Sequence, residues 1–413
     1  MNTPPDNSRM DVRQMGALLA AAPHRLLFFA GASAILVTML WWALWLGAAR
    51  FGWSFMPMPG IPPGWAHAML TQYGMLPMFM FGFLLTVFPR WMNQPPLPRR
   101  RYVPVAIGVF GGYLLAHLGL LGVPWLLKVG FLAMLAGYLA GLHALGEVLW
   151  ANRARDRHAL SCWIALTLGA LGLVAFIAFL FGATPRWGWF AIRLGTFGLL
   201  LPVFFTVCHR MIPFFSSNVV ADYRVWRPLW SLPLVWALLL AHLALDSCGA
   251  TAWLWLVDLP LAIVFAGHAL AWQPWKCMRP GLLAALHLAF AWLPIAFALY
   301  AAQDIVVAVT GDFVLGRMPL HALAIGFFGS MLVAMVTRVT QGHSGRPLQM
   351  GAVPWSCFGL LQIVVLLRLR AELPGDTYAW LTIAAFGWLV AFAPWVLRSL
   401  WIFATPRIDG RPG

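Results

Sequence analysis

Long apolar stretches alternate along the chain with short connections that hold most of the charged and turn-forming residues. About 20 apolar residues in an α-helix cross the hydrocarbon layer of a bilayer, and most of these stretches approach or exceed that length. The pattern predicts about twelve transmembrane helices, at 25–49, 66–88, 103–123, 125–150, 160–182, 188–208, 228–246, 252–272, 280–302, 319–338, 353–369 and 377–403. The connections are too short to fold on their own, so the predicted fold class is an all-α polytopic membrane protein.

The composition of the chain agrees with a membrane protein. Of 413 residues, 62% are hydrophobic and only 9% are charged, which excludes a soluble domain with a solvated surface. We expect a single transmembrane domain over 25–403, with a cytoplasmic polar leader over 1–24 and a cytoplasmic tail over 404–413. The first apolar run follows the leader and is long enough to span, so it predicts a retained helix rather than a cleaved signal peptide.

Basic residues fall in alternate connections and so predict the orientation of the helices. They cluster before the first predicted helix, after the second, fourth, sixth, eighth and tenth, and at the end of the chain. By the positive-inside rule, these connections and both termini are cytoplasmic and the number of helices is even. The net charge of +15 is therefore an insertion signal that needs no nucleic-acid partner, and the expected partner is the lipid bilayer.

Similar short motifs recur in successive groups of helices. Thr86–Arg90 closes the second predicted helix as Thr206–Arg210 closes the sixth, and a His-Ala-Leu motif at His143 recurs at His268. These matches predict three repeat units of four helices each. The predicted units are 25–158, 159–279 and 280–403. Chance similarity between leucine- and alanine-rich helices remains the alternative.

Eleven histidines beside only twelve acidic residues are unusual in a membrane chain. Ionisable side chains are costly in hydrocarbon, so inside a membrane they often mark functional sites. Hydrolysis by paired carboxylates is poorly supported, whereas imidazole suits iron, copper and zinc, and a heme needs only one or two axial ligands. The five cysteines form no CxxC pair, so neither a redox dithiol nor a cysteine zinc site is indicated.

The segment His321–Leu348 has a histidine near each end of one predicted helix. A helix rises about 1.5 Å per residue, so His321 and His343 should lie roughly 30 Å apart and cannot share one metal ion. We therefore predict two sites, one near each membrane face. On the outer side, His67 and His321 begin their helices in similar sequence contexts. We predict that they face each other and share a second metal site or the distal side of a heme.

The predicted inner-side site combines imidazoles with guanidinium groups at one membrane depth. His287 and His343 are the predicted heme ligands, with Arg210, Arg338 or Arg346 near the propionates. The same arginines also satisfy the charge rule on their own.

The other histidines divide into one metal candidate and several structural ones. His209, which follows Cys208, is a candidate metal ligand. His24 and His158 lie beside basic connections and are expected to be solvated at the membrane interface. The remainder are expected to hydrogen-bond neighbouring helices, namely His117, His143, His242 and His268.

Three stretches have a family likeness: Trp65–Leu70 leading to Gly82–Thr86, Arg210–Phe215, and His321–Leu348. On these stretches the chain resembles the NnrS family, bacterial inner-membrane proteins that contain heme and copper and are associated with the response to nitric oxide. The resemblance covers most of the chain, and Leu286–Leu288 supports it. The resemblance implies heme as a cofactor, nitric oxide as a ligand and the bacterial inner membrane as the location. It also implies copper as a second cofactor, and whether this chain binds copper stays open.

The chain departs from the family pattern at the second predicted helix. The family has His-x-His-Glu there, whereas this chain has Trp65, Ala66, His67 and Ala68. One imidazole and the acid are missing, and two imidazoles are too few for a stable copper site unless Met69 or another group completes the coordination. We therefore expect substoichiometric copper at this site.

Three functional classes remain open at this point. The preferred class is a heme protein, with or without copper, that senses, binds or turns over nitric oxide or protects against nitrosative stress. The competing class is a secondary transporter or channel, since repeated helix units also describe secondary carriers. Against it, the chain is expected to lack intramembrane acids that could couple ions. A cofactor-free assembly factor for a respiratory complex is the third class, and neither a reaction nor an electron donor is indicated.

Overall fold

The computed structural model describes residues 12–410, and these residues form helices and connections without a strand. The twelve apolar helices are α1 (Pro23–Phe51), α2 (Pro63–Trp91), α3 (Arg99–Leu120), α4 (Pro124–Ala151), α5 (Arg157–Leu180), α6 (Pro185–Ser217), α7 (Ser231–Ser247), α8 (Thr251–Ala271), α9 (Gly281–Thr310), α10 (Met318–Ser344), α11 (Ala352–Arg370) and α12 (Thr377–Ala404). Each predicted apolar stretch falls on one of them, which confirms the all-α polytopic fold class. Eleven are long and apolar enough to cross a membrane, and α7 is a shorter apolar helix of 17 residues.

Some of the predicted segments lie at the margins of the described residues. Two short helices, Val12–Leu19 and Pro274–Cys277, accompany the twelve long ones. The predicted leader 1–24 and tail 404–413 each lie partly outside the described residues, and the division into domains and units therefore stays a prediction.

Three helices continue at least six residues beyond the end that hydropathy predicts. The sixth, ninth and tenth stretches were predicted to end at 208, 302 and 338, but α6 runs to Ser217, α9 to Thr310 and α10 to Ser344. Backbone hydrogen bonds inside a helix do not require apolar side chains, so hydropathy finds the membrane part and not the helix end. Gly345 then ends α10 with a φ of 72°, a left-handed conformation that glycine adopts without strain. His343 therefore belongs to the last turn of α10, beyond the predicted end of this helix at 338.

Four of the long helices contain a π-helical segment. The segments are Leu70–Met75 in α2, Ile107–Gly111 in α3, Gly195–Leu200 in α6 and Ala322–Gly329 in α10. Pro77 and Pro202 follow the segments of α2 and α6, and a proline lacks the N–H that a regular α-helical bond needs. Gln72 Nε2 donates to Thr196 Oγ1 at 2.9 Å, so these two segments contact each other.

Three helices, α2, α6 and α10, form the centre of the bundle. Within its most apolar window, α2 has 89% of its residues buried and α6 and α10 have 78%, against 39% to 61% in the other candidate spans. Each central helix holds one of the π segments, and each is the second helix of a predicted repeat unit. The three central helices thus hold equivalent places in the predicted units, and the division into units stays a prediction.

The two described chain ends lie at the same end of the bundle. Arg25, at the start of α1, donates a hydrogen bond to the carbonyl of Thr405, which follows α12. We call this the terminal end, and the opposite one the distal end, where Arg50 pairs with Asp376 at 2.8 Å. Consecutive long helices alternate in direction, so the connections that carry the basic clusters lie at the terminal end.

Candidate functional site

A small cavity lies between the three central helices. Its walls are apolar and include Met80 of α2, Phe204 of α6 and Met335 of α10. Phe28 of α1 lines one side, and Val339 is the lining residue nearest the end of α10. Apolar walls offer water no hydrogen-bond partners, so the cavity suits a small apolar molecule.

Two imidazoles meet next to this cavity at the terminal end. The rings of His24 and His343 have centroids 4.1 Å apart and planes inclined by 42°. His24 is the second residue of α1, and its ring also meets the edge of the cavity residue Phe28 at 6.3 Å. His343 lies one helical turn beyond Val339, another cavity residue. The His24–His343 pair therefore lies next to the cavity, on the side of the terminal end.

The burial of His24 contradicts the sequence-based expectation. We expected a solvated interfacial side chain, but His24 is only 3% exposed. The reason is that α1 begins at Pro23, so His24 is already part of the helix and packs against α2 and α10. A Pro-His pair directly before a long apolar run was the available signal for this burial.

A ring of arginines surrounds the imidazole pair. Arg25, Arg90 and Arg407 act electrostatically on His24, and Arg90 and Arg407 act on His343. Asp409 binds Arg407 through two bonds of 2.8 and 2.6 Å and raises the pKa of this guanidinium. The cluster thus contains several cations and, among the described residues, one bound carboxylate. Its electrostatic potential favours an anionic group.

The three predicted arginines differ in the partners they already have. Arg210 pairs with Asp156 at 2.7 Å and lies 4.1 Å from the ring centre of Trp91. Arg338 stacks over Phe215 at 3.8 Å, and within residues 12–410 it has no ion pair. Arg346 stacks over Trp401, and its buried Nη1 has no hydrogen-bond partner among the described residues. Arg338 and Arg346 are therefore the two that keep donors for an added anion.

His287, the other predicted heme ligand, has different neighbours from His343. Its Nε2 lies 3.4 Å from the hydroxyl of Ser216 in α6, which in turn is 3.6 Å from the thiol of Cys277. The side chain is buried near the start of α9. The contacts found among the described residues bring His343 to His24 and His287 to Ser216, and a shared heme for His287 and His343 stays a prediction.

His209 belongs to a chain of hydrogen bonds that joins three imidazoles. Its Nδ1 is 3.0 Å from His158 Nε2, and its Nε2 is 3.1 Å from the hydroxyl of Ser231. The same hydroxyl lies 3.2 Å from His268 Nε2. Both ring nitrogens of His209 thus have protein partners, and a metal would have to displace one of them. His158 is 4% exposed, so its expected solvation was wrong.

The predicted outer-side residues His67 and His321 are neighbours at the distal end. They are close enough to interact electrostatically, and Arg317 and Arg368 act on both rings. His67 stacks on Trp42 with centroids 4.7 Å apart, and its buried Nδ1 has no hydrogen-bond partner among the described residues. His321 donates from Nδ1 to the Arg317 carbonyl at 2.9 Å, which leaves Nε2 as the nitrogen for a metal.

The residue that replaces the family histidine at position 65 points to a different part of the bundle. The Trp65 ring contacts Phe179 and Trp189 with centroids 5.1 and 5.0 Å apart, and it covers Gly188. Position 65 therefore packs against α5 and α6, whereas His67 packs against α1. Within residues 12–410, no group of three His, Cys, Asp or Glu side chains is arranged to hold a metal ion.

Two acidic residues are buried inside the bundle, contrary to the expectation from the sequence. The expectation that the chain lacks intramembrane acids is wrong, because Asp258 in α8 and Asp304 in α9 are both inside the bundle. Asp258 lies inside the predicted stretch 252–272, and Asp304 follows the predicted stretch 280–302 by two residues. The argument that this absence made against a carrier no longer holds.

A comparison with known protein families identifies the family of the chain. A family model described as NnrS protein matches residues 18–407, which is nearly the whole chain. The match includes all twelve apolar helices and both histidine pairs. No curated protein matches the chain. A match of this extent decides the family: the chain belongs to the NnrS family.

Proposed function

We propose that the protein is a heme protein of the bacterial inner membrane that acts in the response to nitric oxide. The carrying observation is the His24–His343 pair, which stands between an apolar cavity and a cluster of arginines. A porphyrin needs an imidazole for its iron, apolar walls for its ring and cations for its propionates. The terminal end of the bundle offers all three within a few side chains.

The spacing of the His24 and His343 rings decides whether both could bind one heme iron. Axial imidazoles on opposite faces of one porphyrin have their nitrogens about 2 Å from the iron, which requires ring centres roughly 6 Å apart. The observed 4.1 Å is too short for a porphyrin between them. We therefore assign the ligand role to His343 and a positioning role to His24, whose ring packs against that of His343.

The surrounding groups would then hold and orient the cofactor. Arg338 and Arg346 keep guanidinium donors without protein acids among the described residues, so they are the proposed partners of the propionates. When bound, heme iron supplies a site at which nitric oxide can coordinate. The apolar walls of the cavity favour nitric oxide, a small and nearly apolar molecule, over water.

Absorption spectra of the detergent-purified protein, together with iron and copper analysis, test this function. We expect a Soret band with stoichiometric iron, and a shift of the band of the reduced protein when nitric oxide is added. Fully folded protein without iron would contradict the proposal.

A second candidate function is a proton-coupled carrier. The buried acids Asp258 and Asp304 favour it, because intramembrane carboxylates are the usual coupling groups of such proteins. Iron-free protein that moves protons in vesicles would select this alternative.

A further inference from the structure

Three titratable side chains from three consecutive helices meet inside the distal half of the bundle. Asp258 lies in the second turn of α8, Asp304 lies near the distal end of α9, and His242 lies in α7. Their exposures are 0%, 4% and 2%. Burial of a carboxylate inside a membrane protein costs free energy unless the group is paired, hydrogen-bonded or protonated.

The contacts among the three groups leave one oxygen of each carboxyl group without a hydrogen-bond donor. His242 Nδ1 lies 2.7 Å from Asp258 Oδ1, so the imidazole donates to that oxygen. The side chains of Asp304 and Asp258 are close enough to interact directly. Neither Asp258 Oδ2 nor Asp304 Oδ2 has a hydrogen-bond partner among the described residues. Two carboxyl groups can share a hydrogen bond only when one of them carries a proton.

The charged neighbours do not replace that proton. Asp246 of α7 is close enough to act on Asp304 and adds negative charge, and its own partner is Arg193 of α6 at 2.6 Å. Tyr300, one turn before Asp304 on α9, faces the three acids as a neutral phenol. Among the described residues, no Lys or Arg side chain pairs with Asp258 or Asp304, and His242 is the residue that contacts Asp258.

We propose that Asp258, Asp304 and His242 form a proton-binding site, in which one proton is held between the two carboxyl groups. A bound metal ion is disfavoured because no group of three metal-ligating side chains is found within residues 12–410, and because His242 already uses Nδ1 on Asp258. The site requires no heme and is therefore independent of the proposed heme function, and it uses the same acids as the carrier named as the second candidate.

The site also contacts the central part of the bundle. The ring of His242 packs against Phe197, with centroids 3.9 Å apart, and Tyr300 meets the edge of the same phenyl ring at 6.0 Å. Phe197 belongs to the π segment of α6, and Val203 and Phe204 further along this helix line the cavity. Gain or loss of the proton would thus change the packing of a central helix that borders the cavity.

Infrared spectroscopy of the purified full chain at neutral pH tests the proposal directly. We expect a carbonyl band of a protonated, buried carboxyl group that shifts to lower frequency in D₂O. Asp304→Asn should remove the band, because Asp258 then faces an amide and His242 and can ionise. Asp304→Glu should retain it, and Asp312→Asn, which changes an exposed acid at the same end, should leave it unchanged.

A second measurement keeps the proposal testable if the variants fold poorly. Hydrophobic carbodiimides react with protonated carboxyl groups in apolar surroundings, so in the wild-type protein we expect mass-spectrometric labelling at Asp304 or Asp258. Absence of both the band and the label at neutral pH would overturn the proposal. So would a band that survives Asp304→Asn, or one that disappears when sodium or potassium is added at constant pH, which would indicate a cation site.

Discussion

The chemistry open to each histidine depends on which of its ring nitrogens already has a partner. His209 has both nitrogens engaged by His158 and Ser231, so its imidazole is part of the packing. His321 uses only Nδ1, and the buried Nδ1 of His67 has no partner among the described residues. A metal ion binds imidazole nitrogens that are not already engaged by the protein. The distal pair keeps such a nitrogen on each ring, Nδ1 of His67 and Nε2 of His321.

The first prediction concerns the ligand role proposed for His343. His343→Ala should lower the heme retained per protein by roughly tenfold or more, since a loss of about 1.4 kcal/mol in ligand binding is one factor of ten. His24→Phe keeps a packed ring and should retain heme with a shifted Soret band, because only the positioning contact changes. Pyridine hemochrome assays and absorption spectra measure both effects.

The control for this experiment is His143→Ala. His143 lies at the same end of the bundle, but its side chain is 64% exposed and pairs with Glu147 and Arg101. Its removal should leave the heme content unchanged. Equal heme content and spectra in wild type and His343→Ala would refute the assignment, and a loss in His287→Ala alone would move the ligand role to His287.

The second prediction concerns copper at the distal pair. His67→Ala and His321→Ala should each abolish the copper retained after dialysis, because a single imidazole with no further ligand binds copper weakly. The wild-type protein should retain less than one copper per chain, since within residues 12–410 no third His, Cys, Asp or Glu side chain joins the pair. Elemental analysis of the three proteins provides the measurement, with His143→Ala as the control. Unchanged copper in both variants would place the metal elsewhere.

At the scale of elements, close helix packing depends on glycines that lie at backbone crossings. The helices α3 and α4 cross where Gly112 and Gly130 face each other, and a Cβ on Gly130 would lie 2.6 Å from the backbone nitrogen of Ala116. Small residues four positions apart, as at Gly108 and Gly112, allow transmembrane helices to approach in this way. The close approach of α3 and α4 packs these two helices together along most of their length.

The third prediction tests this crossing. Gly130→Ala should lower the stability of the protein by about 1–3 kcal/mol, because the added methyl meets backbone atoms that cannot rotate away. Gly359→Ala in α11 is the matched control, since a Cβ there meets open space and alanine favours the helix. Thermal unfolding of both variants in the same detergent decides the point. A Gly130→Ala protein as stable as Gly359→Ala would contradict the role of the crossing.

At the scale of the whole molecule, α10 connects the two histidine pairs. It runs from His321 at the distal end to His343 at the terminal end, and α2 runs beside it from His67 to Arg90. The cavity lies between these two helices and α6, next to the terminal pair. Because α10 carries one residue of each pair, a change at one end can reach the other through a rigid helix.

The fourth prediction concerns the orientation of this molecule in the membrane. Reporter fusions after Gly413 should report the cytoplasm, and fusions near Gly249 in a distal turn should report the outer compartment. The physical reason is that the basic connections all lie at the terminal end, and positive charges are retained on the cytoplasmic side. A fusion at Gly413 that reports the outer compartment would invert the proposed topology and place the His24–His343 pair on the outer side.

The order and kind of the helices could be predicted from the sequence alone. A bilayer sets the length of an apolar helix, and each apolar stretch therefore predicts one helix without knowledge of its neighbours. The family was also recognisable from short stretches such as His321–Leu348, because charge, glycine and histidine spacing agree within one segment.

The composition of the sites was decided by the tertiary structure. Hydropathy does not tell which helix faces which, so it could not pair His24 with His343, or show that His209 is engaged on both nitrogens. The buried acids illustrate the same limit: Asp258 and Asp304 are far apart in sequence and become one site only where α8 packs against α9. Helix lengths follow from local apolar content, whereas partners of buried polar groups follow from non-local packing that no single stretch encodes.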